Sequence, residues 1–256
     1  MDSFIGWVGG KKALRDVIIS NFPETPPARY IEVFGGAGWV MFRKEKTKGQ
    51  LEVFNDIDSN LISLYRCIRF HPDELKRELD GILSSSELFY DFREQVNMRG
   101  LTDIQRAARY FYLTKMSFGC KKVAYATRPK RLDRTLERFS EIQERLTGVL
   151  IENRDFEELI KVYDTDGALF YLDPPYHTTE KYYKGADGGF FTAEDHMRLK
   201  SCLDNIKGKF ILSYNDDVFI RELYKDYNII GVERNNTLAA NSTNSEKFKE
   251  LIIKNY

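Results

Sequence analysis

The residues with the most chemical promise stand together at Asp173-Pro174-Pro175-Tyr176, directly after an apolar run at 168–172. Two consecutive prolines fix φ twice and remove two N–H donors, so Pro174 and Pro175 make a rigid turn rich in acceptors. Ligands of open α/β sheets bind outside the carboxyl ends of strands, which is where this tetrapeptide falls. The Asp173 carboxylate and the Pro174 carbonyl form a pair of acceptors suited to the two N–H bonds of an exocyclic nucleobase amine. Such an amine is a poor nucleophile, because its lone pair is delocalised into the ring. Two acceptors draw the nitrogen toward tetrahedral geometry and stabilise the positive charge that grows on it during in-line attack on a methyl group. That reaction needs positioning more than acid–base power. Tyr176 offers a ring to stack on a base face, a contact worth ~1–3 kcal/mol in single-stranded binding. A paired base would first have to be flipped from its duplex. On its own the segment also serves as a plain structural turn.

A second chemical segment is Val33-Phe34-Gly35-Gly36-Ala37-Gly38, between a strand-like run and the helix-like stretch 39–45. Glycines at a strand-to-helix turn let backbone approach a ligand where no side chain would fit. A tight turn with nothing bound has the same pattern. The next apolar run ends in Asn55-Asp56, where nucleotide-binding sheets place a carboxylate for ribose hydroxyls. Asp56 is therefore expected at a ligand and Asp58, nearer the following helix, at its N-cap. Gly9-Gly10-Lys11-Lys12 fails as a phosphate loop: Gly6 stands one residue too close, and Lys12 holds the hydroxyl position.

These segments need a frame to hold them. Short runs rich in β-formers occur at 30–34, 51–54, 149–151, 168–172, 210–214, 228–232 and 251–253, mostly separated by stretches with helical period such as 58–70 and 193–206. Alternation of this kind predicts an α/β fold with a mainly parallel sheet. The last two runs are joined by a polar, Asn-rich loop and are expected to form an antiparallel edge pair. Between about 71 and 147 the strand signals vanish, and 83–98, 103–118 and 132–146 carry apolar residues at helical spacing. The chain thus divides into an α/β part (1–70 and 148–256) and a helical insertion (71–147).

Hydrophobic residues are 42% and charged residues 30% of the 256, proportions of an ordinary globular chain. Lys+Arg and Asp+Glu balance at 39 each, so no global field announces a polyanion. A local one exists: the loop 119–134 gathers Lys121, Lys122, Arg128, Lys130, Arg131 and Arg134 around Tyr125. Cys67, Cys120 and Cys202 form no Cys-x-x-Cys pair, and His71, His177 and His196 lack metal-ligand spacing, so no metal is expected and the histidines are read as surface or helix-face residues. No run approaches the ~20 apolar residues of a membrane span and no signal peptide is evident, which points to the cytoplasm.

In this order the motifs resemble the Dam-type, D12 class of DNA adenine-N6 methyltransferases. The resemblance runs from Gly6-Trp7-Val8-Gly9-Gly10-Lys11 through the glycine turn, Asn55-Asp56-Ile57-Asp58 and Asp173-Pro174-Pro175-Tyr176 to Ser213-Tyr214-Asn215-Asp216. It implies a seven-strand methyltransferase fold, S-adenosyl-L-methionine as cofactor, S-adenosyl-L-homocysteine as product and double-stranded DNA as substrate, with no obligate protein partner evident. It further implies that Trp7 and Lys11 line the cofactor pocket, with Phe34, Gly36 and Gly38 beneath the methionine moiety and Asp173 at its reacting end. An indole beside a sulfonium is favourable through cation–π attraction, and Lys11 would pair the methionine carboxylate. Asp155-Phe156 match the contact to the cofactor's adenine ring. The insertion corresponds to the target-recognition region, where Lys121, Lys122, Tyr125, Arg128, Lys130 and Arg131 would meet DNA, mostly at phosphates, with Lys122, Tyr125 or Arg128 reaching base edges. The stretch 116–122 departs from the Asn-Gly-rich form of GATC methylases, so a GATC target is not implied. Cytosine-N4 methylation needs the same two acceptors and is the nearest rival; a catalytically silent DNA-binding regulator of the same fold is the other. Restriction companion, phage protection and regulatory mark are all compatible roles.

Overall fold

The computed structural model describes residues 1–127, 131–177, 191–235 and 247–256. Its frame is one seven-stranded sheet. A short helix α1 (Arg15–Ser20) leads to β1 (Arg29–Glu32), α2 (Trp39–Arg43), β2 (Leu51–Asn55) and α3 (Ser59–Phe70). Helices α4 (Pro72–Leu79), α5 (Ser86–Gln95), α6 (Asp103–Met116), α7 (Asp133–Leu136) and α8 (Phe139–Arg145) follow before the chain returns at β3 (Val149–Glu152). Then come α9 (Phe156–Tyr163), β4 (Ala168–Leu172), α10 (Ala193–Asp204), β5 (Lys209–Asn215), α11 (Val218–Leu223), β6 (Asn228–Asn235) and β7 (Lys247–Lys254).

Strand order is β3-β2-β1-β4-β5-β7-β6, parallel except at β7, which runs antiparallel to both β5 and β6. The expected mainly parallel sheet with an antiparallel edge pair is present. Strand order in sequence reverses between β1 and β4, which lie side by side with Glu32 opposite Tyr171. Chain leaving the sheet there in opposite directions opens a crevice at the strand ends. Both chemical segments, after β1 and after β4, emerge at that point.

All five residues of β4 are buried, as a central parallel strand covered on both faces requires. One face packs with α1–α8, through Tyr30, Leu169, Tyr171, Ile211 and Ile252. The other packs with α9–α11, through Ile31, Phe170, Leu172, Leu212 and Ile253. The helices of 71–147 therefore share a core with the first face. A buried charge cluster fastens α8 to β2: the Glu52 carboxylate accepts from Lys44 at 2.7 Å and from Arg145 at 2.7 and 3.0 Å.

Two expectations change in detail. The stretch 132–146 is two helices, broken at Glu137-Arg138, although Leu132, Leu136, Phe139, Ile142 and Leu146 are all buried on one side. Helix α4 falls outside the expected helical stretches, although Pro72 at its first turn with Asp73 and Glu74 is a helix-start signal. Asp58 caps α3 as expected, accepting from Asn60 and Leu61 N–H at 3.0 and 3.3 Å.

Candidate active site

Side chains alternate across a sheet, so one face can be followed to the strand ends. On the α1–α8 face Tyr30 is followed by Glu32, Tyr171 by Asp173, Ile211 by Ser213, and Ile252 is preceded by Glu250 on antiparallel β7. The face that is apolar at mid-sheet thus turns polar where the parallel strands end. Glu32, Ser213 and Glu250 are buried there. Over them comes Lys11, delivered by the N-terminal arm and only 5% exposed. Its Nζ lies 2.6 Å from Asp173 Oδ1 and 3.9 Å from Glu250 Oε2, donates to the Gly9 carbonyl at 3.0 Å, and stands 4.6 Å above the Tyr176 ring.

Ser213 Oγ donates to the same Asp173 Oδ1 at 3.0 Å. Both contacts fall on Oδ1 of a carboxylate that is 19% exposed, and neither engages Oδ2. Burial pushes the Asp173 carboxyl above its ordinary range, and the Lys11 ammonium pulls it back. The Tyr176 hydroxyl donates to Glu250 Oε2, which fixes the ring behind the turn. Burial also raises Glu32 to about 8, and its carboxyl accepts from the Tyr30 hydroxyl at 2.8 Å. Lys11, expected against a methionine carboxylate, is here paired with Asp173, because the arm carries it over the strand ends between Asp173 and the buried Glu250. Ser213, quoted from the sequence only as part of the closing motif, bonds Asp173, and Glu250 stands beside Lys11; neither role was read from the sequence. Their signal is a carboxylate or hydroxyl on the inward parity of an apolar strand.

The glycine turn is built as close-approach geometry. Gly35 N–H donates to the Asn55 carbonyl at 2.7 Å, binding the turn to the end of β2. Gly36 (φ 49°) and Gly38 (φ 65°) are left-handed, and a Cβ on Gly36 would stand 2.8 Å from Trp7 Nε1. Trp7 therefore lies directly on the turn. Asp56 Oδ2 accepts from Gly36 N–H and Oδ1 from Asp58 N–H, each at 2.8 Å. A carboxylate has about four acceptor sites, so each oxygen keeps capacity for a further donor. Burial raises Asp56 to about 6 against the lowering effect of those N–H groups. Gly36→Ala is expected to cost ~1–2 kcal/mol for the left-handed backbone alone and to displace the indole. A lowered melting temperature with changed Trp emission checks this; an unchanged melting curve contradicts it.

On the opposite sheet face Phe34, Phe156 and Phe191 form an aromatic wall with centroids 5.7–6.0 Å apart. Asp155 caps α9 through Glu157 N–H at 3.0 Å and pairs Arg198 at 2.9 Å. The Arg198 guanidinium also covers the Phe156 ring at 4.3 Å, a role that sequence reasoning missed. The histidines split: His71 is exposed, His177 Nδ1 lies 3.1 Å from Asp217, and His196 is fully buried with Nδ1 2.6 Å from the Tyr214 hydroxyl. His196 thus lies on the buried face of helix α10, in keeping with the helix-face reading and not the surface one. Among the described residues no group of three or more His, Cys, Asp or Glu is arranged to hold a metal ion.

The basic loop does not present all its residues alike. Lys121 is exposed. Lys122 turns inward: its Nζ is 2.8 Å from the Tyr110 hydroxyl and 4.5 Å above the Trp7 ring, so it does not project toward an external backbone. Tyr125 is half-buried, bridged to Ser117 and packed on Phe89 at 5.8 Å, so its ring belongs to the helical core and not to a probing edge. Arg131 is held by both oxygens of Asp133. Arg128 and Lys130 lie outside the described residues.

Residues 7–238 match the family described as D12 class N6 adenine-specific DNA methyltransferase. Similar proteins include the Type II methyltransferase M1.LlaDCHI of Lactococcus lactis subsp. cremoris, 31% identical over 99% of this chain and 95% of the relative. The Type II methyltransferase M.MjaIII of Methanocaldococcus jannaschii is 27% identical over 99% and 98% of the two chains. The DNA adenine methylase of Escherichia coli K12 is 23% identical over 98% and 94%. With a family match that takes in both strand-tip segments, and a relative aligned along nearly its whole length, this chain belongs to the D12 class of N6 adenine-specific DNA methyltransferases.

Proposed function

We propose that the chain binds S-adenosyl-L-methionine in the crevice between the glycine turn and Asp173, and methylates an adenine flipped from duplex DNA. The observation that carries this is the Asp173 carboxylate at the switch point, with one oxygen fastened by Lys11 and Ser213 and the other engaged by neither. The residues fit the cofactor. Gly36 and Gly38 admit the close packing of Trp7 and of Tyr65 with Phe42 against the turn, Asp56 retains acceptor capacity for a ribose, and the Phe34 and Phe156 rings pack together after the neighbouring strands, next to Asp155. The cofactor supplies an electrophilic methyl group on a sulfonium.

The chain's own residues do the rest. Asp173 and the Pro174 carbonyl accept the two N–H bonds of the adenine amine and stabilise the charge that develops on nitrogen. Pro174 and Pro175 hold that pair without reorganisation. The Lys11 ammonium stands over the Tyr176 ring, and Tyr176 is proposed to pack against the flipped base. The helical segment 71–147 supplies target recognition, and family membership favours adenine over cytosine N4. Incubation with labelled S-adenosylmethionine and duplex DNA, followed by digestion to nucleosides, is expected to yield N6-methyladenine. N4-methylcytosine as the sole product would overturn the reading. Among the described residues no helix is long and apolar enough to cross a membrane.

Lys121, Arg128 and Lys130 are proposed to neutralise DNA phosphates. Replacing all three with alanine is expected to reduce the slope of log K against log salt by ~0.9 for each phosphate that is no longer neutralised. Arg131→Ala, already neutralised by Asp133, is expected to leave the slope nearly unchanged. An unaltered slope in the triple variant places the DNA elsewhere.

A further inference from the structure

We infer that Lys122, reaching in from the loop after α6, is the cation that receives the carboxylate of the cofactor's methionine moiety. The inference rests on the cofactor reading above and deepens it. Lys11, the other candidate for that carboxylate, is already committed: its ammonium is buried against Asp173 at 2.6 Å with Gly9 O at 3.0 Å.

Lys122 stands where Lys11 was expected. Its Nζ is 4.5 Å from the centroid of the Trp7 ring, and that indole lies on Gly36 of the cradle. The backbone that brings it there is unusual: Gly119, Cys120 and Lys122 all have φ near 60°, two of them residues with side chains. Backbone in this region is costly for such residues and persists where the surroundings over-determine it. One such determinant is close packing on the N-terminal arm, since a Cβ on Gly6 would stand 2.4 Å from Cys120 Sγ.

The ammonium also holds no carboxylate at close hydrogen-bonding distance. It donates to the neutral Tyr110 hydroxyl at 2.8 Å, while its near carboxylate, Asp58, is 3.7 Å away. That carboxylate is already engaged, with Oδ1 capping α3 and Oδ2 accepting from Tyr110 at 2.6 Å. Burial accordingly pushes the Lys122 amine below its ordinary range, with Asp58 and Asp56 opposing. A lysine has three donors, so donors remain beyond the one given to Tyr110, and an incoming carboxylate would accept from one of them. Because Lys122 belongs to the segment proposed to meet DNA, cofactor occupancy and the position of that loop become linked.

The test is a cycle in which the charge is removed from either side. S-adenosylhomocysteine and its carboxyl methyl ester are titrated calorimetrically into wild type, Lys122→Met and Lys122→Arg, without DNA. A charge-assisted bond predicts that Lys122→Met weakens S-adenosylhomocysteine by about tenfold or more. The ester should bind wild type and Lys122→Met alike, and Lys122→Arg should keep most of the affinity. Lys122→Gln replaces Lys122→Met should the thioether disturb the loop. Equal losses for acid and ester, or no loss for the acid, overturn the assignment. So does a DNA salt slope that falls by ~0.9 in cofactor-free Lys122→Met, which would make Lys122 a phosphate ligand. Failure of wild type to bind S-adenosylhomocysteine at all sinks the cofactor reading itself, and this assignment with it. Normal wild-type binding with no Lys122 effect sinks only the assignment.

Discussion

Asp173→Asn is expected to lose methyl transfer as completely as Asp173→Ala, by about 10²- to 10³-fold or more, while S-adenosylhomocysteine affinity changes little. The usual expectation for an isosteric amide is partial retention, and the geometry argues otherwise. Lys11 Nζ and Ser213 Oγ both meet Oδ1, at 2.6 and 3.0 Å. Lys11 can only donate, so an asparagine must turn its carbonyl oxygen toward Lys11 and place its NH2 where Oδ2 stood, the oxygen proposed to accept from the substrate. The substrate amine would then meet a donor where it needs an acceptor. The single charge-assisted bond is replaced by a repulsive encounter, and the nitrogen's lone pair stays in the ring. Single-turnover kinetics with calorimetric binding of S-adenosylhomocysteine separates chemistry from cofactor affinity. An Asn variant that keeps a tenth of wild-type turnover would show that the carboxylate is not the acceptor.

The frame of this site was legible because its signals are local. Each expected apolar run contains or overlaps a strand, and β4 matches residue for residue, since a central strand buried on both faces leaves no polar residue to blur its ends. β6 and β7 extend beyond their apolar runs to Asn235 and Lys247, because antiparallel pairing satisfies backbone groups whatever the side chains are. The break between α7 and α8 was invisible for the opposite reason: the buried positions keep helical spacing straight across it. Asp58 as cap and Asp56 at the glycine turn followed from position alone, and the turn's own N–H groups explain why Asp56 stays put.

What the chain did not disclose is which charge meets which. Lys11 and Asp173 are far apart in sequence, and their pairing depends on the parity of β4 and on where an irregular arm crosses the strand tips. Glu250 completes that cluster from β7, a strand whose apolar run reads as simple edge sheet. Lys122 reads as one more member of a basic loop; in the fold its ammonium meets Tyr110 and Trp7, on a stretch with three left-handed residues, two of them not glycine. Long-range electrostatic pairs of this kind leave no periodicity behind.

Lys11→Met should produce the second large effect, with opposite pH trends in activity and stability. Lys11 is the cation between Asp173 and Glu250, and breaking a buried pair by removing one partner costs ~3–5 kcal/mol. Burial already raises the Asp173 carboxyl and Lys11 opposes that rise, so the variant carries Asp173 higher still. Transfer requires the ionised carboxylate as acceptor. The acid limb of the kcat/KM profile should therefore move to higher pH, with activity at neutrality reduced and partly restored as pH rises. Stability runs the other way. An acid whose folded pKa exceeds its unfolded value favours the native state at low pH, and that contribution is lost as pH climbs through the folded pKa. The melting temperature of Lys11→Met should then fall over the same interval in which its activity recovers. Wild type, with the ammonium in place, should show a smaller dependence across that range. Parallel trends in the variant, or a pH profile that superimposes on wild type, would mean that Lys11 acts on something other than the Asp173 charge.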